Sequence, residues 1–288
     1  MSDTILVFGA TGMLGQALLA EGRRRGLKLV GVARSGADVA LDMTDVSALA
    51  GLVAEVRPSV VVNAAALTSL DACEKDPCLA YRVNARAVAM LAGAAADAYF
   101  IQISTDHYYS GDGAALHDED SPVRLVNEYA RSKYAGEAYA LTHAHALVLR
   151  TNIVGFRNRG ASTFVEWALA SLCNGQAMTL LEDYFTSSID VASFSKGLLD
   201  LLPQRPTGRL NLAAREVASK ARFIEALAEA AGYDTSHCRP GSIHGLEGAR
   251  RAESLGLDVT RAERLLGYKL PTLSEVIDNL LRHRRMNA

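Results

Sequence analysis

Sulfur, net charge and long apolar runs are what this chain has little of, and each scarcity removes a class of function. Its four cysteines, Cys73, Cys78, Cys173 and Cys238, are too few and too irregularly spaced for a disulfide framework or a zinc site, so reduced, mostly structural thiols are expected. Histidine supplies no metal site either, because His143 and His145 flank the start of a probable strand with neither cysteine nor acidic cluster beside them. The 30 basic and 32 acidic side chains cancel to a net charge of −2. The basic runs Arg23-Arg24-Arg25 and Arg282, Arg284 and Arg285 read as solvated helix ends, and no nucleic-acid partner is expected. No apolar stretch approaches the roughly 20 residues of a membrane span. A first strand starting at Thr4 leaves no room for a signal peptide, so the expectation is a cytoplasmic protein that does not engage a membrane. Repeats and low-complexity linkers are missing too. What remains, 49% apolar over 288 residues, suits one large α/β domain or a nucleotide domain with a smaller second part.

What is present begins at Ile5-Leu6-Val7-Phe8, an apolar run that reads as a buried strand and leads into Gly9-x-x-Gly12-x-x-Gly15 and a helical pattern from Met13 to Arg25. This is a phosphate cradle. Gly9 permits the tight turn, Gly12 lets backbone approach a pyrophosphate, and Gly15 lets the helix pack close to the sheet. The helix N-terminus offers free N–H groups to the anion. Lys28 to Ala33 forms a second strand that ends in Arg34-Ser35. An acidic residue there would favour NAD; Arg34 is placed for a 2′-phosphate and Ser35 for one more hydrogen bond, which favours NADP. Leu41-Asp42 reads as a short strand or turn with its carboxylate near an adenine edge.

A helix from Val46 to Val56 precedes Val60-Val61-Val62-Asn63-Ala64-Ala65-Ala66, whose unbroken β-branched residues indicate a parallel strand buried on both faces. The pattern from Asp71 to Asp97 is helical, and Tyr99 to Ile103 is the fourth core strand. It ends in Ser104-Thr105-Asp106, at the strand end where α/β sheets place their chemistry. Asn127 to Glu137 then forms a helix with Tyr129 and Lys133 one turn apart on one face. A nearby ammonium stabilises a phenolate and lowers its pKa toward neutrality, which equips Tyr129 for proton transfer. Further on, His145 to Arg150 reads as a strand, Asn152 to Gly155 as a turn, and Thr163 to Cys173 as a helix carrying Trp167. Asp190 to Leu202 and Lys220 to Ala231 read as helices, with a short strand from Gly208 to Leu212 between them.

Together Gly-Ala-Thr-Gly-Met-Leu-Gly at 9–15, Asn-Ala-Ala-Ala at 63–66, Ser-Thr-Asp at 104–106 and Tyr-x-x-x-Lys at 129–133 resemble the extended short-chain dehydrogenase/reductases. More narrowly they resemble the dTDP-4-dehydrorhamnose reductase group of sugar-nucleotide reductases, over nearly the whole chain. The resemblance implies an α/β fold, a doubly wound parallel Rossmann sheet with a smaller, interleaved C-terminal part. Residues 1–150 would bind NADP and 151–288 mainly the substrate, with about 185–215 returning to the Rossmann domain. The implied catalytic residues are Thr105, Tyr129 and Lys133. Tyr129 would protonate the ketone oxygen, Thr105 would hydrogen-bond it, and Lys133 would hold the nicotinamide ribose and tune Tyr129. Implied for the cofactor are Gly9, Thr11, Gly12, Met13, Leu14, Gly15, Arg34, Ser35, Asp42, Met43, Asn63, Ala64, Ala65, Ala66, Asn84, Ser104, Tyr129, Lys133 and Asn152. Implied for the sugar nucleotide are Thr105, Asp106, His107, Tyr129, Trp167 and Arg250, where Arg250 or Arg251 would pair with the diphosphate.

The expected activity is NADPH-dependent reduction of a nucleotide-linked 4-keto-6-deoxysugar, by a homodimer if by an oligomer. The chain also departs from its family. Thr-Asp-Tyr-Val-Phe-x-Gly has become Thr105-Asp106-His107-Tyr108-Tyr109-Ser110-Gly111, Arg-Pro has become Arg250-Arg251, and Gly-x-Pro-Thr has become Tyr184-Phe185-Thr186-Ser187. The rivals are an epimerase, a 4,6-dehydratase and a noncatalytic regulatory subunit such as the beta subunit of methionine adenosyltransferase. Arg34 speaks against the epimerase, which generally prefers NAD. His107, in place of the dehydratase glutamate, speaks against the dehydratase. Retained Thr105, Tyr129 and Lys133 favour catalysis over the regulatory role.

Overall fold

A computed structural model describes residues 3–157 and 162–287 of the chain. The chain divides into two compact units. The first comprises Met1–Thr105, Leu125–Arg150 and Ser195–Leu210, the second Asp106–Arg124, Thr151–Phe194 and Asn211–Ala288.

The first unit is built on a seven-stranded sheet. Its strands are β1 (Thr4–Phe8), β2 (Lys28–Ala33), β3 (Val39–Ala40), β4 (Val60–Asn63), β5 (Tyr99–Ile103), Ala146–Arg150 and Gly208–Asn211. From one edge the order is Gly208–Asn211, Ala146–Arg150, β5, β4, β1, β2, β3, and the pairings from Ala146–Arg150 to β3 are parallel. Strand order therefore reverses between β1 and β4, the topological switch point at which such sheets bind ligands. The pairing Ile5↔Val60 and Val60↔Tyr99 stacks three apolar strands, and every residue of β1, β4 and β5 is buried. Helices α1 (Met13–Arg24), α2 (Val46–Val56), α3 (Leu70–Lys75), α4 (Pro77–Tyr81), α5 (Ala87–Ala94) and α6 (Glu128–Ala140) complete the crossovers. Leu49 and Val53 of α2 and Val88 and Leu91 of α5 close over Leu6, Phe8, Val61, Phe100 and Val148 of the sheet. Burial of each such side chain contributes about 1.5–3 kcal/mol.

Two local readings change and a third is narrowed. The continuous helix expected from Asp71 to Asp97 is broken at Asp76, which caps α4 by accepting from Leu79 N at 2.9 Å, with Pro77 at its first turn. A π-turn, Arg82–Arg86, then joins α4 to α5 and carries Asn84. Of the short strand or turn expected at Leu41-Asp42, the turn is what forms: the edge strand is Val39–Ala40, and Asp42 opens the turn after it, its O accepting from Asp45 N at 2.9 Å. Ile153–Val154 is a strand rather than part of a turn, because it pairs in parallel with Ile189–Asp190.

The second unit holds a four-stranded sheet in the order Ala218–Ser219, Phe185–Thr186, Ser254–Leu257, Leu116–His117. The first pairing is antiparallel and the other two parallel. Thr179–Leu181 pairs with Arg239–Gly241. Its helices are α7 (Phe164–Cys173), the start of α8 (Val191–Leu201), α9 (Lys220–Ala231), α10 (Thr260–Leu266) and α11 (Leu273–Asn287). Thr163 and Glu166 form a capping box that starts α7. Among the described residues no helix is long and apolar enough to cross a membrane.

Candidate active site

In the first unit the turn after β1 takes the shape that its glycines require. Gly9 has φ +81°, and a Cβ there would meet Ala65 N at 2.7 Å and Ala64 C at 2.8 Å. A Cβ on Gly15 would overlap Gly9 O, so α1 packs directly on the turn. Gly12 is the N-cap of α1 and no side chain caps that end. The residues present thus fit a pyrophosphate: an uncapped helix N-terminus behind a glycine turn with small residues facing it. Thr11 is exposed, Met13 is half-buried and Leu14 is buried against the sheet.

Arg34 and Ser35 are exposed at the end of β2. Asp42 accepts from Thr44 N at 2.9 Å and Thr44 Oγ1 at 2.8 Å, and these bonds, with Arg34 acting at longer range, hold its carboxyl below the usual range. Met43 is buried in the core cluster beside Leu49. Two asparagines expected at the cofactor hold backbone in place. Asn63 donates to Gln102 Oε1 at 2.8 Å and accepts from Ala65 N at 3.2 Å. Asn84 accepts from Leu67 N at 2.8 Å and donates to Leu67 O and Ser132 Oγ, both at 3.0 Å. Between them they shape the Ala64-Ala65-Ala66 segment that faces Gly9.

Ser104 and Thr105 are buried at the carboxyl end of β5, and Ser104 N donates to Leu149 O at 2.7 Å. Opposite them α6 starts at Asn127, which accepts from Ala130 N at 2.7 Å. Tyr129 is 8% exposed and packs with Cys73, Ala80, Leu67 and Leu70. Lys133 is 4% exposed and its Nζ donates to Ile103 O at 2.7 Å, which ties the ammonium to the same strand end as Thr105. Burial pulls its pKa down to about 8, against the pull of the Glu137 carboxylate one turn further on. Glu137, fully buried, is held in turn by Arg150 Nη2 at 2.9 Å and Arg209 Nε at 3.4 Å. Glu137, Arg150 and Arg209 escape a reading of sequence because they meet only when Ala146–Arg150 and the edge strand Gly208–Asn211 are paired onto the sheet.

In the second unit Asp106, 1% exposed, accepts from Asn152 Nδ2 at 2.7 Å. Asn152 Oδ1 accepts from Ser188 Oγ at 2.8 Å, and Ser188 Oγ accepts from Lys220 Nζ at 3.2 Å. Asn152, expected at the cofactor, is thus tied to Asp106. Burial lowers the Lys220 pKa to about 8, with Asp106 opposing. His107 is lowered to about 4 by burial and by the charges of Lys220 and Arg251, so its imidazole is neutral at pH 7. Arg250 is exposed, and it is Arg251 whose charge reaches His107. Trp167 is 44% exposed on α7, its ring 6.2 Å from that of Phe164. Ser188 and Lys220 carry no motif, and nothing in the sequence pairs them with Asp106. Among the described residues no group of three or more His, Cys, Asp or Glu side chains could hold a metal ion.

Comparison with known proteins follows these features. A family model described as RmlD substrate binding domain matches residues 3–286. The dTDP-4-dehydrorhamnose reductase of Mycobacterium tuberculosis is 31% identical over 252 residues, 84% of this chain and 80% of that one. Methionine adenosyltransferase 2 subunit beta of Danio rerio is 28% identical over 278 residues, 92% of this chain and 85% of that one. Among solved structures, dTDP-4-dehydrorhamnose reductase from Bacillus anthracis in complex with NADP aligns with a TM-score of 0.89 at 24% identity, over 98% of this chain and all of that one. At that identity the likeness shows a shared fold.

Proposed function

The chain belongs to the RmlD substrate binding domain family, and we propose that it is an NADPH-dependent reductase of a nucleotide-linked 4-keto-6-deoxysugar. The observation that carries this reading is the Lys133 Nζ bond to Ile103 O at 2.7 Å, two residues before Thr105 and one helical turn from Tyr129. The Gly9–Gly15 turn and Arg34 would hold NADPH, which would supply the hydride. Thr105 donates a hydrogen bond to the ketone oxygen and Tyr129 transfers its phenolic proton to that oxygen as charge builds there. The Lys133 ammonium stabilises the resulting phenolate, and its own bond to the β5 carbonyl keeps it in position. Residues of the second unit, Asp106, His107, Trp167 and Arg250 or Arg251 among them, take the sugar nucleotide.

Support against a dehydratase comes from His107. An imidazole lowered to about 4 is a poor base at neutral pH for abstracting a proton from a sugar ring. The relation to the methionine adenosyltransferase subunit keeps a noncatalytic role as the rival. One assay separates them: NADPH oxidation with dTDP-, GDP- and UDP-linked 4-keto sugars, repeated with NADH. Turnover with NADPH is expected, and Tyr129→Phe is expected to lower kcat about 10²–10⁴-fold while NADPH affinity stays within about twofold. An active Tyr129→Phe enzyme would sink the mechanism. Silence on the whole panel, together with a co-purifying stoichiometric enzyme, would support the regulatory role. We further propose a cytoplasmic homodimer, to be checked by fractionation of the source cells and by sedimentation.

A further inference from the structure

Two consecutive residues of α3, Cys73 and Glu74, meet the first turn of α6, the turn that carries Tyr129. Ser69 starts α3 by accepting from Ala72 N on its Oγ at 3.2 Å and from Cys73 N on its O at 3.0 Å. Neighbouring side chains on a helix point about 100° apart, so Cys73 turns into the core while Glu74 runs along the surface. The Cys73 side chain is fully buried in the cluster that holds the Tyr129 ring. Glu74 reaches the backbone beside that ring: its Oε1 accepts from Glu128 N at 2.8 Å. The first N–H groups of a helix have no carbonyl of their own helix to donate to, so they need acceptors from outside. In α6, Asn127 Oδ1 serves Ala130 N at 2.7 Å and Glu74 serves Glu128 N, which fixes the residues on both sides of Tyr129.

The same turn is held from its other end. Ser132 Oγ donates to Tyr129 O at 2.9 Å and accepts from Asn84 Nδ2 at 3.0 Å. Asn84 Nδ2 also donates to Leu67 O at 3.0 Å, and Cys73 Sγ donates to that same carbonyl at 3.6 Å. One backbone step from Cys73 returns to Glu74. The bonds therefore close a circuit that passes through Tyr129 and lies wholly within the first unit. Cys73, Asn84 and Ser132 are buried in it, whereas Glu74 is exposed. Replacing Glu74 opens no cavity in the core, so it probes the placement of Tyr129 apart from the packing around it.

We propose that Glu74 is a positioning residue for Tyr129: its carboxylate fixes the start of α6, and with it the direction from which the phenol meets the ketone oxygen. For its catalytic consequence the proposal rests on the reductase reading above, and it adds to that reading a residue from an element outside the Tyr129–Lys133 helix. Glu74 acts through the backbone of Glu128 and not on the reacting atoms. A bond from a carboxylate to a helix-end N–H is charge-assisted and directional, which suits it to holding a terminus that otherwise frays. Misplacing a reacting group by about 1 Å costs on the order of a hundredfold in rate, and loss of one of the two caps that flank Tyr129 should cost about tenfold.

The test compares three variants of the full chain: Glu74→Ala, Glu74→Gln and, as a control, Thr272→Ala. The last removes the acceptor of Glu275 N, at 3.3 Å, from the start of α11 in the second unit. Two quantities are read with NADPH present. One is the split between kcat and KM on the keto sugar that turns over. The other is the ring signal of Tyr129 in carbon-13 tyrosine NMR, assigned by its loss in Tyr129→Phe. Glu74→Ala should lower kcat about tenfold with KM within about twofold, and should shift or broaden the Tyr129 signal. Glu74→Gln, whose amide oxygen still accepts, should restore both, and Thr272→Ala should change neither. An unchanged kcat or an unchanged Tyr129 signal in Glu74→Ala overturns the proposal. So does Glu74→Gln matching Glu74→Ala, which assigns the effect to charge, or Thr272→Ala matching it, which assigns the effect to stability. If no keto sugar is reduced, the reductase reading fails by itself and the Tyr129 signal alone decides on Glu74.

Discussion

At the scale of single residues, the site depends on where one positive charge is kept. Lys133 sits buried with a pKa of about 8, below the ordinary lysine value of 10.5, because burial outweighs the Glu137 carboxylate. The ammonium is lost as pH rises through about 8, so the activity should fall on that alkaline limb. Stability moves the other way there: between about 8 and 10.5 the unfolded chain holds the proton that the folded chain has released, so Lys133 makes stability rise with pH in that window. Glu137→Gln removes the opposing carboxylate and should shift the activity limb to lower pH. It also removes the carboxylate that the buried Arg150 guanidinium pairs with, at about 3–5 kcal/mol. Arg209→Gln removes a competing cation from Glu137 at a half-exposed position and should shift the limb to higher pH without that cost. Opposite shifts in kcat against pH are the expected result; shifts of one sign, or none, would refute the link. Tyr129 and Lys133 were legible from their spacing. Glu137, Ser188 and Lys220 were not, because a lone carboxylate, hydroxyl or amine has no signature until sheet pairing supplies its partner.

At the scale of elements, close backbone approach decides which glycines matter. Gly15 and Gly136 each face a backbone oxygen, Gly9 O and Asn84 O, at a distance that leaves no room for a Cβ. Gly15→Ala and Gly136→Ala should each lower stability by about 1–3 kcal/mol, and Gly15→Ala should also weaken NADPH binding by displacing α1 from the turn. Gly93, exposed in α5 with nothing within 4 Å of its would-be Cβ, is the control. Gly93→Ala should raise stability by about 0.5–1 kcal/mol through helix propensity, all three being read by denaturant unfolding. Helices and core strands were legible here because their apolar periodicity is local: α2 and α9 span the residues expected of them. The π-turn at Arg82–Arg86 was not legible, since its sequence is that of an ordinary helix and the Asn84 bonds to Leu67 and Ser132 that accompany it are made to residues outside it.

At the scale of the whole molecule, each unit is assembled from separated segments, and this has a consequence for truncation. A fragment of residues 1–150 lacks Gly208–Asn211, which borders Ala146–Arg150 in the sheet, and Pro206, whose O accepts from Tyr99 Oη at 2.6 Å. It also loses Arg209 from Glu137 and Asp200 from Arg25, the latter a 2.7 Å pair. Such a fragment should show an exposed strand edge, low protection of Ala146–Arg150 in hydrogen exchange, and aggregation, whereas the full chain should not. By itself the sequence determined the α/β class, the glycine turn at Gly9–Gly15, the order of the core strands along the chain and the placing of Tyr129 and Lys133 one turn apart on one helix, because each is encoded by spacings within a few turns of backbone. Tertiary structure alone decided that residues 106–124 join the second unit. It also decided that Asp106, Asn152, Ser188 and Lys220 form one hydrogen-bonded series. The physical reason is that the bonds of this series join residues 32, 36 and 46 positions apart, and their partners are chosen by sheet pairing and burial, which no local periodicity records.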